Sequence, residues 1–149
     1  MTAPLQISFE VDCPVEHAFS TWAGRIDSWW PRDHRLSGEA GSELVFEDRA
    51  GGRIYERSRQ GAEHVFGQVS EVERPRLLRY SWHLGVDPAQ ATDVEIRFVE
   101  LSPTRTRVEI EHSGWERLGA EGTARRQRNE HGWASVIPHF RRAAEEGGV

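Results

Sequence analysis

Three side chains of the sequence are of types that could do acid–base or anion-binding chemistry in a pocket: His112, Tyr80 and Arg53. His112 follows Val108 and Ile110 at even spacing, so it shares the apolar face of a predicted strand and faces the interior. A histidine there could act as a general base, because its ordinary pKa is about 6.5. The alternative is a hydrogen-bonded histidine at the edge of a pocket.

Arg53 shares a strand face with Tyr55. An unpaired buried guanidinium is costly, so Arg53 either lies in solvent or meets an acidic group. If it points inward, it could bind a ligand carboxylate. Arg125, Arg126 and Arg128 fall near the start of the predicted last helix. A solvated helix face is the favoured interpretation for these three, with a partner contact as the alternative.

The sequence contains six tryptophans, a high number for 149 residues. Large rigid rings suit a pocket for a flat or apolar ligand, although a tryptophan-rich core is the alternative. Trp29 and Trp30 are adjacent, so one should pack inward while the other closes a cavity mouth or lies on the surface. Tyr80 and Trp82 share a strand face. The candidate ligand-contacting residues are Trp22, Trp30, Tyr55, Tyr80, Trp82, Phe98, His112, Trp133 and Ile137.

No sequence motif indicates a metal, a cofactor or a covalent nucleophile. Cys13 is the single cysteine, and His131 and His139 are eight residues apart, which is not the spacing of a paired metal site. Nucleophile-elbow, phosphate-loop and dinucleotide motifs are absent as well. We therefore expect neither a metal nor a cofactor.

The composition predicts one ordinary globular domain over residues 1–149. Hydrophobic residues make up 37% and charged residues 29%, and the net charge is −5. An acidic chain whose 19 basic residues are dispersed is a poor candidate for nucleic-acid binding. No apolar run approaches the ~18 residues of a membrane span, and no secretory signal is visible, so a cytoplasmic location is expected.

Hydrophobic periodicity predicts an α+β fold. Alternating apolar residues indicate about seven strands, near residues 5–11, 44–47, 53–56, 63–72, 77–84, 93–98 and 107–111. Two short helices should follow the first strand. A long helix should cover 123–146, with an apolar stripe formed by Trp133, Ile137, Phe140 and Ala144 and widened by Val136. Short connections make the sheet antiparallel, and it must curl over the long helix to bury that stripe.

The register of the last two strands follows from charge. Two registers match their apolar faces: one sets Arg97 opposite Arg107 and the other sets it opposite Glu109. Opposite charges across a strand pair stabilise it and like charges destabilise it. The second register is therefore predicted.

Five motifs give the sequence a family resemblance. The motifs, which span nearly the whole chain, are Cys13-Pro14-Val15-Glu16, Trp29-Trp30, Gly67–Val72 leading to Arg74–Leu77, Tyr80-Ser81-Trp82, and His112-Ser113-Gly114-Trp115 with Gly132-Trp133. With these motifs the sequence resembles the stand-alone bacterial members of the family named after the activator of the heat-shock ATPase (AHSA-type), within the START and birch-allergen-like (SRPBCC) superfamily.

The resemblance implies a helix-grip fold with a hydrophobic cavity between the sheet and the last helix. Relatives in the superfamily include lipid carriers, aromatase/cyclases, sequestering resistance proteins and chaperone cofactors, so the resemblance does not imply one activity. Our first hypothesis is a carrier or sequestering protein for a small hydrophobic or aromatic molecule. The alternatives are a cyclase- or hydrolase-type enzyme using the same cavity, or a chaperone-related interaction module. A protein partner or a homodimer stays open.

Overall fold

Seven strands form one antiparallel sheet in the computed structural model, which describes residues 3–35 and 41–147. The strands are β1 (Leu5–Val11), β2 (Glu43–Phe46), β3 (Arg53–Arg57), β4 (Glu63–Glu73), β5 (Leu77–Trp82), β6 (Thr92–Ser102) and β7 (Arg105–Ser113). Their spatial order is β1-β7-β6-β5-β4-β3-β2. Two short helices, α1 (Val15–Gly24) and α2 (Ile26–Trp29), follow β1, and the long helix α3 (Gly122–Gly147) ends the chain.

The sheet curls around α3, as the predicted α+β helix-grip fold requires. On the inner face, alternate residues of β5, β6 and β7 are buried, because successive side chains of a strand point to opposite faces. From α3, Trp133, Val136, Phe140 and Ala144 are buried against this face, whereas Ile137 is half-buried and packs at its margin. Helix α3 also packs against α1, α2 and β1. The predicted fold class is therefore confirmed.

The predicted register of β6 and β7 is also confirmed, since Arg97 lies opposite Glu109. The ion pair of Arg97 nevertheless runs along its own strand, with Nε 2.7 Å from Oε2 of Glu95. Residues two apart on a strand share a face, so Glu95 is as accessible to Arg97 as its cross-strand partner. Arg79 of β5 donates to the other oxygen of Glu95 over 2.7 Å, which ties β5 and β6 together on the outer face.

Strand β4 approaches β5 unusually closely at Gly67. A Cβ atom built on Gly67 would lie 2.0 Å from the backbone oxygen of Ser81 and 3.6 Å from Cα of Trp82. Pairing of β4 with β5 is irregular just beyond this point, between Val69 and Glu71. Glycine is therefore needed where the sheet bends toward Trp82.

None of the helices formed by the described residues combines the length and the hydropathy that a membrane crossing requires.

Candidate functional site

The space between sheet and α3 is occupied largely by the protein's own aromatic rings. Trp22 of α1 is fully buried at the centre, with ring centroids 4.8 Å from Phe140, 5.0 Å from Trp29 and 6.1 Å from Trp133. Phe98 of β6 packs edge-on against Trp22 at 6.4 Å. Such tilted and edge-to-face pairs are the preferred aromatic geometry. Trp22 and Phe98, both candidate ligand contacts, are core residues in this arrangement.

The two adjacent tryptophans are both buried, and their rings contact each other with centroids 5.7 Å apart. Trp29 contacts Trp22 and donates its Nε1–H to the carbonyl of Thr21 over 2.7 Å. The ring of Trp30 lies 5.5 Å from that of Trp82, and its Nε1–H donates to the carbonyl of His34 over 3.0 Å. Trp30 and Trp82 therefore contact each other at the mouth of the space between the sheet and α3.

A small cavity of about 50 Å³ lies at this mouth. Its apolar walls come from four different elements, α2 and its end, β5, the loop after β5, and α3, and comprise Trp30, Trp82, Leu84, Trp133 and Val136. A water molecule takes up about 30 Å³ in the liquid. The internal cavity alone therefore holds no more than about one or two waters.

The cavity adjoins a wider groove of about 410 Å³ between the start of α3 and the loop after β5. Both spaces share Trp82, Leu84, His34, Asn129 and Gly132. The groove adds Arg125, Arg128 and His131. Ligand pockets are typically about 300–1,000 Å³ in volume. The groove, with its tryptophan-lined inner end, is thus large enough for a small organic molecule; we call it the mouth groove.

His112 lies behind the mouth groove as the centre of a buried hydrogen-bond network. Trp133 Nε1 lies 3.0 Å from His112 Nδ1, and Thr92 Oγ1 lies 2.7 Å from His112 Nε2. An indole nitrogen can only donate, so Nδ1 accepts and the imidazole proton is on Nε2. Nε2–H then donates to Thr92, whose hydroxyl donates to the carbonyl of Trp82 over 3.3 Å. Trp115 stacks on the imidazole, with ring centroids 4.4 Å apart.

This arrangement keeps His112 neutral. The side chain is fully buried, and burial, helped by the positive charge of Arg125, lowers the pKa of His112 to about 3. Both ring nitrogens are engaged within the protein, so neither is available to take a proton from a substrate. The geometry therefore favours a hydrogen-bonded histidine over a general base at position 112. The network also positions Trp133 and Trp82 at the mouth groove.

Protonation of His112 should make stability depend on pH. The unfolded chain binds this proton near pH 6.5, whereas the folded protein binds it only near pH 3. The stabilisation is therefore complete above pH 6.5 and is lost by about 1.4 kcal/mol per pH unit as pH falls below it. We expect the wild type to lose about 2 kcal/mol more than His112→Gln between pH 6.5 and 5.0, measured by urea unfolding. Equal losses in both proteins would show that His112 does not titrate in this way.

Tyr80 lies on the inner face of the sheet, where its hydroxyl does not readily lose its proton to become a base. Burial raises the pKa of its hydroxyl, and the neighbouring Trp22 indole acts in the opposite direction. The Trp22 Nε1–H approaches Tyr80 without forming a hydrogen bond of normal geometry to any described residue. Tyr80 therefore stays a protonated phenol within the aromatic interior.

Tyr55, one of the candidate ligand contacts, is not among the described residues that line the mouth groove. Ile54 and Glu56, its neighbours on β3, are the fully buried residues of that strand, so Tyr55 points to the outer face. Its ring is covered there by Arg53 and Arg57, whose Cζ atoms lie 4.4 and 5.4 Å from the ring centroid. Two guanidinium groups, rather than the core, account for its burial.

Arg53 takes the outward alternative. It pairs with Glu63 at 3.0 Å and with Glu47 at 3.6 Å, on the same outer face as Tyr55. A ligand carboxylate on the inner side is therefore out of its reach.

The interpretation of the three arginines at the start of α3 as a solvated face is wrong for Arg125. Its side chain is buried, with the residue 9% exposed, and one N–H donates to the carbonyl of Gln90 over 2.9 Å. Arg126 instead bonds the carbonyl of Ala3 over 2.7 Å, and Arg128 is exposed at the mouth groove.

Sequence reasoning missed several residues of the mouth groove: Leu84, His34, Asn129 and Gly132. One signal was available. Arg125, Asn129 and Gly132 continue the spacing of the apolar stripe toward the start of α3, at i, i+4 and i+7, and so lie on the helix face that leads into the cavity. Among the described residues, no cluster of three or more histidine, cysteine, aspartate or glutamate side chains is placed to hold a metal ion.

The comparisons with known proteins identify the family and the fold. The family model described as Activator of Hsp90 ATPase homolog 1-like protein matches residues 12–145. Comparison with curated proteins finds no significant match.

Solved structures similar to this chain include two with related sequences. CalC from Micromonospora echinospora, described as a self-sacrificing resistance protein, is 31% identical, with a TM-score of 0.78 over 99% of this chain and 97% of that one. Txn09, described as an anthrahydroquino-γ-pyrone synthase, is 32% identical, with a TM-score of 0.59 over 83% of this chain and 84% of that one. Protein MLL2253 from Mesorhizobium loti, at 19% identity and a TM-score of 0.69 over 94% and 95% of the two chains, shows the same fold.

Proposed function

We propose that this chain, which belongs to the family of activator of Hsp90 ATPase homolog 1-like proteins, binds a small apolar or aromatic molecule in the mouth groove. The observation that carries the proposal is the groove of about 410 Å³ whose inner end opens on the rings of Trp30, Trp82 and Trp133. The closely packed interior leaves room for an edge of such a molecule. The body of the ligand would lie in the groove itself.

The rigidity of the groove walls supports the proposal. Trp133 is held by His112, Trp30 by the carbonyl of His34, and Trp82 by its ring contacts with Trp30 and Phe66. A ligand that stacks on rings already fixed in place loses less entropy on binding than one that must order them. The 31% identity to CalC, described as a self-sacrificing resistance protein, supports a role in which the chain meets a small molecule.

Gly132 allows the proposal to be tested without disturbing the core. A Cβ atom at Gly132 would meet no atom within 4 Å, and the residue lines both the cavity and the groove. Gly132→Leu should therefore fill the groove and raise helix propensity at the same time. We expect the neutral dye N-phenyl-1-naphthylamine to bind the wild type saturably, with a change in tryptophan emission. Gly132→Leu should raise the dissociation constant of the dye at least about tenfold, a loss of about 1.4 kcal/mol of binding free energy.

Ala134→Leu is the matched control, because Ala134 is exposed on the same helix and lines neither space. It should bind the dye as the wild type does. Thermal unfolding should show both variants to be at least as stable as the wild type. Equal binding of the dye by the wild type and Gly132→Leu would overturn the proposal, as would the absence of saturable wild-type binding of both this dye and its sulfonated form, 8-anilinonaphthalene-1-sulfonate.

A second candidate function is an enzyme acting on an aromatic polyketide-type substrate in the same groove. The observation that favours it is the 32% identity to Txn09, which is described as a synthase. His112 is not the expected base in that case, since both of its nitrogens are engaged. Incubating bound aromatic compounds with the protein and following them by mass spectrometry separates the two functions, because a carrier returns its ligand unchanged.

A further inference from the structure

Arg125 is a buried cation for which the described part of the chain supplies no ion-pair partner. Its single hydrogen bond among these residues goes to a neutral acceptor, the carbonyl of Gln90. Glu121 is close enough to stabilise the charge of Arg125 somewhat, but it forms no ion pair with it. Burial and the nearby charge of Arg128 both lower the pKa of Arg125, burial being the larger cause. An arginine nevertheless stays charged in proteins.

The other polar side chains of the mouth groove do not neutralise this charge. The described residues that line it include Arg125, Arg128, His34 and His131 but no carboxylate. The Nδ2 amide of Asn129 donates to the backbone carbonyl of Arg125, and a side-chain amide carries no charge that could neutralise the guanidinium. One end of the groove is therefore cationic, and the other is the apolar wall of Trp30, Trp82 and Trp133.

We propose that the ligand of the mouth groove is an aromatic anion, whose flat body contacts the tryptophans and whose carboxylate or comparable acidic group binds Arg125 and Arg128. This inference rests on the proposed function and adds the chemical class of the ligand. A guanidinium matches the two oxygens of a carboxylate or sulfonate with parallel N–H donors. Burial strengthens that bond, because water competes for it less effectively than at an exposed site.

Two dyes with the same rings test the charge alone. N-phenyl-1-naphthylamine is neutral, and 8-anilinonaphthalene-1-sulfonate is the same framework with one sulfonate added. We expect the wild type to bind the sulfonate at least about tenfold more tightly than the neutral dye. Raising the salt concentration from 0.05 M to 1 M should reduce this ratio, since exposed charges are screened.

Three variants locate the effect. Arg125→Gln should reduce the preference for the sulfonate over the neutral dye, taken as the ratio of their affinities in the same variant, about tenfold, whereas Arg125→Lys should retain part of the preference. Arg128→Gln should reduce the preference for the sulfonate less, because Arg128 is exposed and water competes for its bond to the ligand. This variant also leaves the core untouched. Arg142→Gln is the matched control, an exposed arginine on the same helix that does not line the groove, and should change nothing.

The outcomes separate this inference from the proposed function. Saturable binding of both dyes with equal affinity, or a preference that survives both Arg125→Gln and Arg128→Gln, would overturn the inference and leave the binding function standing. Binding of neither dye would overturn both. Should Arg125→Gln fail to fold, as judged by circular dichroism, Arg128→Gln and the salt dependence still decide.

Discussion

Replacing His112 with alanine is expected to lower the free energy of unfolding by about 4 kcal/mol. The change leaves the buried Nε1–H of Trp133 without an acceptor, and it removes the donor to the Thr92 hydroxyl, which keeps only its bond to the carbonyl of Trp82. An unsatisfied buried polar group costs about 1–3 kcal/mol. The lost imidazole also leaves a void against the ring of Trp115, which is fully buried. Chemical unfolding at pH 7.5 measures the effect.

A double-mutant cycle assigns this loss to the network rather than to the void alone. Trp133→Phe removes the indole donor and should destabilise the wild type. In the His112→Ala background it should cost at least about 1 kcal/mol less, because the donor it removes has already lost its acceptor. His131→Ala is the matched control, since that histidine is exposed on α3, and it should change stability by less than about 0.5 kcal/mol.

A loss below about 1 kcal/mol for His112→Ala, or strict additivity in the cycle, would contradict the network. The result also bears on the groove. Trp133 and Trp82 are both bonded into the His112 network, so the variant should bind the neutral dye more weakly even where it stays folded.

The periodicity of the sequence sufficed for the fold because each element repeats its signal many times. Alternation along β6 and β7 repeats over several residues, and the inner positions Val94, Ile96, Val108 and Ile110 are all buried. One opposite-charge pair was enough to choose the β6–β7 register, since the alternative set two arginines face to face. Periodicity is less informative for Tyr55 in the short strand β3. Arg53 and Arg57 cover its ring on the outer face of the sheet, so the ring is buried without facing the core.

The filled interior was not predictable from the same pattern. Periodicity assigns Trp22, Phe98 and Trp133 to the inner face, but it does not say whether rings on facing elements meet or leave a space between them. Centroid distances of 4.8 to 6.4 Å around Trp22 show that they meet. The mouth groove, which we propose as the ligand site, lies instead at the start of α3, where the stripe changes from apolar residues to Asn129 and Arg125. Polar residues that continue a buried helix stripe can indicate a binding site, and an interpretation based on apolar residues alone does not detect them.

The second large effect concerns the bend that brings Trp82 to the groove. Gly67→Ala should destabilise the protein by about 3 kcal/mol, or lower the thermal midpoint by about 10 °C, because its new methyl group would overlap a backbone oxygen that no side-chain rotation can move. The distance of 2.0 Å from that Cβ to the carbonyl of Ser81 requires β4 and β5 to separate.

The matched control is Gly24→Ala, an exposed glycine at the end of α1 where a Cβ would meet nothing within 4 Å. It should be neutral or slightly stabilising. Because relief of the overlap with the Ser81 oxygen must move the chain next to Trp82, any folded Gly67→Ala protein should also show altered tryptophan emission and weaker binding of the neutral dye. Unchanged stability would mean that the close approach of β4 and β5 is not required. Lost stability with unchanged dye binding would mean that Trp82 is positioned from α2 and α3 rather than from the sheet.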